Sequence, residues 1–172
     1  MEEKRPLIDR PTVRTALLLV VLFAVGFATR FPALQFPQLY AFHGVLAAPF
    51  FSAAALWHFN RSGSVWELFV ATLALAAVLG IMSAVMGLSF LFLGLCLLVA
   101  YGLTGNLNRE TRLFACSVAF GALDYVCALV AGVALGSYAF SSEIYLSIAL
   151  LTLLSVSLAF LAALLFKKVE RS

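Results

Sequence analysis

Charge is scarce in this chain. Asp, Glu, Lys and Arg together make up 11% of its 172 residues, where a soluble domain carries about 25%. The apolar share is 64%, against about 45–50% in soluble domains. This shortage excludes an ordinary water-soluble domain and a disordered chain. A net charge of +3 gives no basic surface for nucleic acid. Three cysteines are too few for a disulfide-stapled scaffold. The motifs of common chemistry are missing too. No phosphate-binding loop occurs; the stretch from Gly102 through Thr104 and Gly105 to Asn106 lacks the lysine that reaches a phosphate. There is no H-E-x-x-H, no C-x-x-C and no G-x-S-x-G. Nothing therefore points to an enzyme, a metal or a cofactor. Cys96, Cys116 and Cys127 fall in apolar runs and read as small buried hydrophobes. His43 and His58 lie fifteen residues apart, about 22 Å along a helix, and cannot share a metal.

Long apolar runs dominate. A helix needs roughly 20 mostly apolar residues to cross a bilayer. Arg14 and Arg30 bracket the first such run, and both can snorkel. Pro32 and Pro37 then end the helix, and Pro49 kinks the next one. The run from Leu68 to Asn108 is long enough for two helices, with a turn expected at Met86-Gly87-Leu88-Ser89. The expectation is one all-α domain, 1–172, with six spans at 13–29, 40–59, 66–86, 90–106, 113–135 and 144–166. A β-barrel needs strict alternation over about ten residues, which runs such as Ala16–Phe23 lack. The first apolar run leads at once into a second and is read as a helix, not a cleaved leader.

Loop charges set the orientation. With both termini in the cytoplasm, the inner segments hold Lys4, Arg5, Arg10, Arg14, Arg61, Arg109, Arg112, Lys167, Lys168 and Arg171, and the outer ones hold Arg30. Basic residues concentrate on the cytoplasmic side of membrane proteins. The reading is a multi-pass protein of the cell membrane.

Within the spans, Asp124 stands out. An aspartate at mid-span costs roughly 2.5–3.5 kcal/mol on insertion scales, so it must face protein or water. Asp124, Ala128, Gly132 and Gly136 recur at four-residue spacing, and the two glycines read as a close-packing pair. Tyr101 and Ser155 are its expected neighbours. Two readings stay open: a ligand or proton site, and a structural aspartate bonded between helices. The first outer loop, from Arg30 through Gln35 and Tyr40 to His43, mixes aromatic and hydrogen-bonding residues. It reads as a lid over a small polar ligand or as an interfacial aromatic belt. The last outer loop carries Glu143, with Ser141 or Ser142 placed to cap the sixth helix. Small residues four apart, Ala24 and Ala28, and Ala76, Gly80 and Ala84, read as packing ridges.

The whole-chain pattern resembles the substrate-binding S component of energy-coupling-factor (ECF) vitamin transporters. It has six short-looped helices, an aromatic first outer loop, the Arg61-Ser-Gly turn and a basic C-terminal stub. The resemblance implies a vitamin-like small molecule captured from outside, with Asp124, Tyr101 and Ser155 at the pocket bottom and Arg30, Gln35, Tyr40 and Glu143 near its mouth. It further implies a membrane coupling subunit and two separate ATPases. The family's coupling motif is Ala-x-x-x-Ala on the first helix. Here Ala24 and Ala28 have that spacing in the outer half, while Ala16 is followed at the fourth place by Val20. The N-terminus is not the Met-His start of metal-transporting members. The stretch from Phe120 to Asp124 also resembles cell-shape scaffolds of the MreD type, which implies a non-catalytic membrane scaffold as the alternative.

Overall fold

The computed structural model describes residues 11–35, 43–137 and 144–170; for 30–35, 144–146 and 170 it describes the backbone alone. Among the described residues all regular structure is helical. There are six helices: α1 (Pro11–Gln35), α2 (His43–Asn60), α3 (Val65–Met82), α4 (Ala84–Leu103), α5 (Arg109–Ala134) and α6 (Ile144–Glu170). Five are long and apolar enough to cross a membrane, and α2 is the exception.

Five helices close into a ring through the contacts α1–α2, α2–α5, α5–α4, α4–α3 and α3–α1. Its interior is one apolar core, with Leu18 and Leu22 from α1, Phe51 and Ala55 from α2, Leu68 and Leu75 from α3, Phe90 and Leu93 from α4, and Cys116 and Phe120 from α5. The sixth helix lies outside the ring, on the seam between α2 and α5. It packs there through Ser155, Ala159 and Ala163, one turn apart and fully buried. Ala159 meets Ala48 and Ala122.

Glycines set the closest approaches. A Cβ on Gly121 would run into the Ala48 carbonyl and the Ser52 backbone, and one on Gly44 would come within 2.6 Å of Tyr125 Cα. These two contacts fix α2 antiparallel to α5. Gly87 is likewise not a turn residue. It sits in α4, where an added Cβ would lie 2.6 Å from Gly80 Cα on α3. The corner between α3 and α4 is Ser83 alone, in extended backbone (φ −156°, ψ 121°). Glycine signals a turn and a close helix contact equally well, which is why the sequence expectation falls on the wrong residue.

Two further expectations need correction. The first helix continues to Gln35, through Arg30 and Pro32, so that stretch is helix, not loop. Gly136 belongs to no packing pair, because α5 ends at Ala134. With φ +66° it closes the helix: its N–H donates to Val133 O (2.9 Å) and Ser137 N–H donates to Gly132 O (2.8 Å), a Schellman cap.

The end of the bundle with the α2–α3 and α4–α5 turns, here the basic end, holds a polar lock. Arg14 is 3% exposed. It donates to Arg61 O (2.5 Å) and to Glu67 Oε2 (2.7 Å). It is thus a buried tie between α1, α2 and α3, not a snorkelling anchor. Glu67 also closes a capping box with Ser64 at the start of α3, which satisfies two end donors reciprocally.

Gly121→Ala should destabilise the protein by about 1–3 kcal/mol, the usual cost of overpacking. Gly102→Ala, whose added Cβ meets nothing within 4 Å, should be neutral or stabilise by up to about 1 kcal/mol through helix propensity. Thermal unfolding of the two variants in detergent checks the contrast; equal effects would refute the packing assignment.

Candidate functional site

The inward faces of α2 and α5 can be read from their core residues. On α2, Ala47, Phe51, Ala55 and Phe59 belong to the core, and His43, one turn before Ala47, is buried as well. On α5, Phe120 points into the core, and Asp124, one turn further on, follows it on the side nearest α2. Both Asp124 and His43 are shut off from solvent, at 0% and 2% exposure.

Beneath them lies an aromatic floor. The Phe51 ring stands 6.0 Å from Phe90 and 6.0 Å from Phe120, centroid to centroid. All three are fully buried. The α2–α5 seam supplies two more polar groups. Ser52 packs on Gly121 and Tyr125 packs on Gly44. Among the described residues, the Ser52 hydroxyl and the Tyr125 hydroxyl are buried without a hydrogen-bond partner. Burying a hydroxyl in that way costs roughly 1–3 kcal/mol. With the buried Asp124 and His43 they make a polar seam between α2 and α5, spread over the nine residues of α2 from His43 to Ser52, about 14 Å.

From Ser52 to His43 the seam runs toward the end of the bundle away from the basic end. His43 opens α2 at the level of Tyr125, while α5 runs on to Ala134. Those nine residues add about 14 Å, so the start of α2 is recessed between its neighbours. Chemically, a carboxylate and an imidazole above aromatic rings suit a small ligand that is cationic or rich in hydrogen-bond donors. Among the described residues no three His, Cys, Asp or Glu converge as a metal set.

Of the residues expected from sequence around this point, only Asp124 is here. Ser155 lies on the opposite side of α5, where its hydroxyl donates to Ala122 O (3.1 Å) and ties α6 to the ring. Tyr101 is at the basic end. Its carbonyl accepts from Arg112 Nε (3.0 Å) and Nη2 (2.7 Å), and its ring lies 3.4 Å beneath the same guanidinium. Twelve residues of α5 separate Arg112 from Asp124, about 18 Å. Arg30 and Gln35 are in the last turns of α1, known by backbone alone. Tyr40 and Glu143 lie outside the described residues. Ser52 and Tyr125 were not among the expected site residues, and His43 was expected as a hydrogen-bonding member of the first outer loop, whereas it opens α2. Their signal was present as polar side chains on two apolar helices, but only the α2–α5 register brings them together.

The stripe Ala16, Val20, Ala24 and Ala28 faces away from the bundle and is exposed along its length. The buried stripe of α1 is Arg14, Leu18, Leu22 and Gly26. Two residues of offset turn a helix by about 200°, which puts the two stripes on opposite faces.

No protein-family model, curated protein or solved structure matches this chain.

Ser155→Ala should lower stability by about 0.5–1.5 kcal/mol, the range for a hydrogen bond between membrane helices. Tyr101→Phe should change it by no more than a few tenths, since Arg112 holds the backbone carbonyl and a ring face that phenylalanine retains. Chemical unfolding in detergent reads both; a large loss in the phenylalanine variant would refute the placement of Tyr101.

Proposed function

We propose that this chain is the membrane-embedded substrate-binding subunit of an ECF-type importer, taking a small vitamin-like molecule from the outer face of the cell membrane. The observation that carries this reading is the polar seam: Asp124 and His43 fully or almost fully buried, with the Phe51–Phe90–Phe120 rings and the buried hydroxyls of Ser52 and Tyr125 on the same packed helices. An ionisable residue inside a membrane bundle marks a ligand or proton site by default.

In this reading the chain crosses the membrane six times with both termini in the cytoplasm. Arg61, Arg109, Arg112, Lys167 and Lys168 then sit at the inner end, and the polar seam runs toward the outer end. Helix α2 is the sixth span. Its modest apolarity is tolerable because α1, α5 and α6 enclose it. The subunit does no chemistry of its own. Energy comes from two partner ATPases through a coupling subunit in the membrane, for which the exposed stripe Ala16, Val20, Ala24 and Ala28 is the docking face.

The test is native mass spectrometry of protein purified gently from cells grown in rich medium. A small molecule retained one-to-one is expected. Asp124→Asn should weaken its binding by about 10–100-fold, the scale of one hydrogen bond to a charged group, and leave the protein folded. Protein that repeatedly comes off bare, or an unchanged affinity in the variant, would sink the reading. Co-purification with other membrane proteins alone would favour a scaffold.

A further inference from the structure

The basic end carries two cavities, apart from the polar seam of Asp124 and His43. One, of about 500 Å³, lies between α2, α5 and α6 and is lined by Phe59, Asn60, Ser62, Arg109, Phe114 and Lys167, among others. The second, of about 420 Å³, lies between α3, α4 and α5, with Ser64, Trp66, Tyr101, Leu107 and Arg112 on its walls. They adjoin: Ser62, Arg109 and Leu113 line both.

The cations in these walls differ in their freedom. Arg112 is held over Tyr101 and bonded to its carbonyl. Lys167 pairs with Glu110 at 2.6 Å and lies 5.7 Å from the Phe114 ring centroid. Arg109 is exposed and makes no hydrogen bond or ion pair among the described residues. It stands on the partition between the cavities, in the first turn of α5, where the helix end itself favours negative charge. Three cations face one carboxylate, so the pair of cavities favours an anion.

The apolar walls narrow the choice of anion. Leu56, Phe59 and Phe114 line the first cavity beside Lys167. Trp66 and Leu107 line the second and are 62% and 45% exposed. Phe59, Trp66, Leu107 and Lys167 occupy first or last turns of helices or the turns between them, with Leu56 and Phe114 about one turn deeper, the level at which a bilayer passes from headgroup to acyl chain. A soluble anion gains nothing from exposed tryptophan and leucine. A molecule with a phosphate at one end and hydrocarbon at the other uses both kinds of wall, as basic pockets between membrane helices do for lipid headgroups.

We infer that the two cavities at the basic end form a binding site for the phosphate of an anionic phospholipid, with Arg109 the contact that selects it and Lys167 and Arg112 flanking. The phosphate lies against the guanidinium of Arg109, and the acyl chains run along the apolar surface of the adjoining helices.

The experiment uses the full chain in detergent, titrated with phosphatidylglycerol or with phosphatidylcholine of the same chain length. Bound lipid is counted by native mass spectrometry. Phosphatidylglycerol should be retained roughly fivefold better, the scale of one basic side chain at an anionic lipid surface. Arg109→Gln should bring that ratio to about one. Lys168→Gln removes the same charge from outside both cavities and should leave the ratio unchanged. Neither variant loses a described internal bond, and an unchanged melting temperature verifies the fold. Three results would overturn the inference: equal retention of the two lipids by the natural protein, equal loss in the two variants, or displacement of the lipid by millimolar inorganic phosphate. The last would assign the site to a soluble phosphate compound.

Discussion

The close contact of α2 with α5 is the constraint on which the rest depends. Gly44 against Tyr125, and Gly121 against Ala48 and Ser52, bring two backbones nearly into touch. In lipid there is little hydrophobic gain from pairing helices, so dispersion between close backbones must hold them together. That pairing fixes the antiparallel register. It closes the five-helix ring, and it forms the seam on which α6 rests through Ser155, Ala159 and Ala163. A larger residue at Gly121 would therefore disturb the ring and the outer helix together.

Polar groups are treated differently at the two ends. At the basic end they are paired and local: Arg14 with Glu67 and the Arg61 carbonyl, Ser64 with Glu67, Arg112 with the Tyr101 carbonyl, Lys167 with Glu110. Most of them tie one helix end to a neighbour, and the Ser64–Glu67 pair caps α3 itself. Among the described residues, Arg14 Nε and His58 Nδ1 are nonetheless buried there without a hydrogen-bond partner, as are the hydroxyls of Ser52 and Tyr125 on the α2–α5 seam. Unpaired buried atoms therefore do not by themselves single out the seam. Asp124 does, as an ionisable side chain fully buried within an apolar helix of the bundle.

Much of the fold was legible because charge and apolar run length are strong signals in a membrane chain. Arg14, Asn60, Asn108 and Lys167 all fall at or near helix ends. The turn at Ser83 was not legible, since Gly87 carries the same letter as a turn glycine while serving as a packing surface. The site was legible only at Asp124. Tyr101 and Ser155 share its approximate depth in a linear reading, yet a helix has a direction as well as a depth. Ala122, which takes the Ser155 hydroxyl, is two residues from Asp124 and so about 200° round the helix. Tyr101 fails on depth too, because α4 ends at Leu103 and places it beside Arg112. The useful rule is angular: a polar partner must lie on the same stripe as the core residues one turn away, as His43 does with Ala47 and Asp124 does with Phe120.

One compositional detail does foretell the arrangement. The five strongly apolar helices have mean hydropathies of 2.0–2.6, and α2 falls outside that group. Its sequence holds two histidines, a serine, a proline and an asparagine. A helix facing lipid could not carry them cheaply, because each polar group would need a partner that lipid does not supply. Helix α2 can, because α1, α5 and α6 take the place of lipid around it. The helix of low hydropathy is thus the enclosed one, and an enclosed polar helix is where a membrane bundle can build a ligand site. The weak hydropathy of α2 and the lone aspartate of α5 are therefore two marks of a single feature, the polar seam between them.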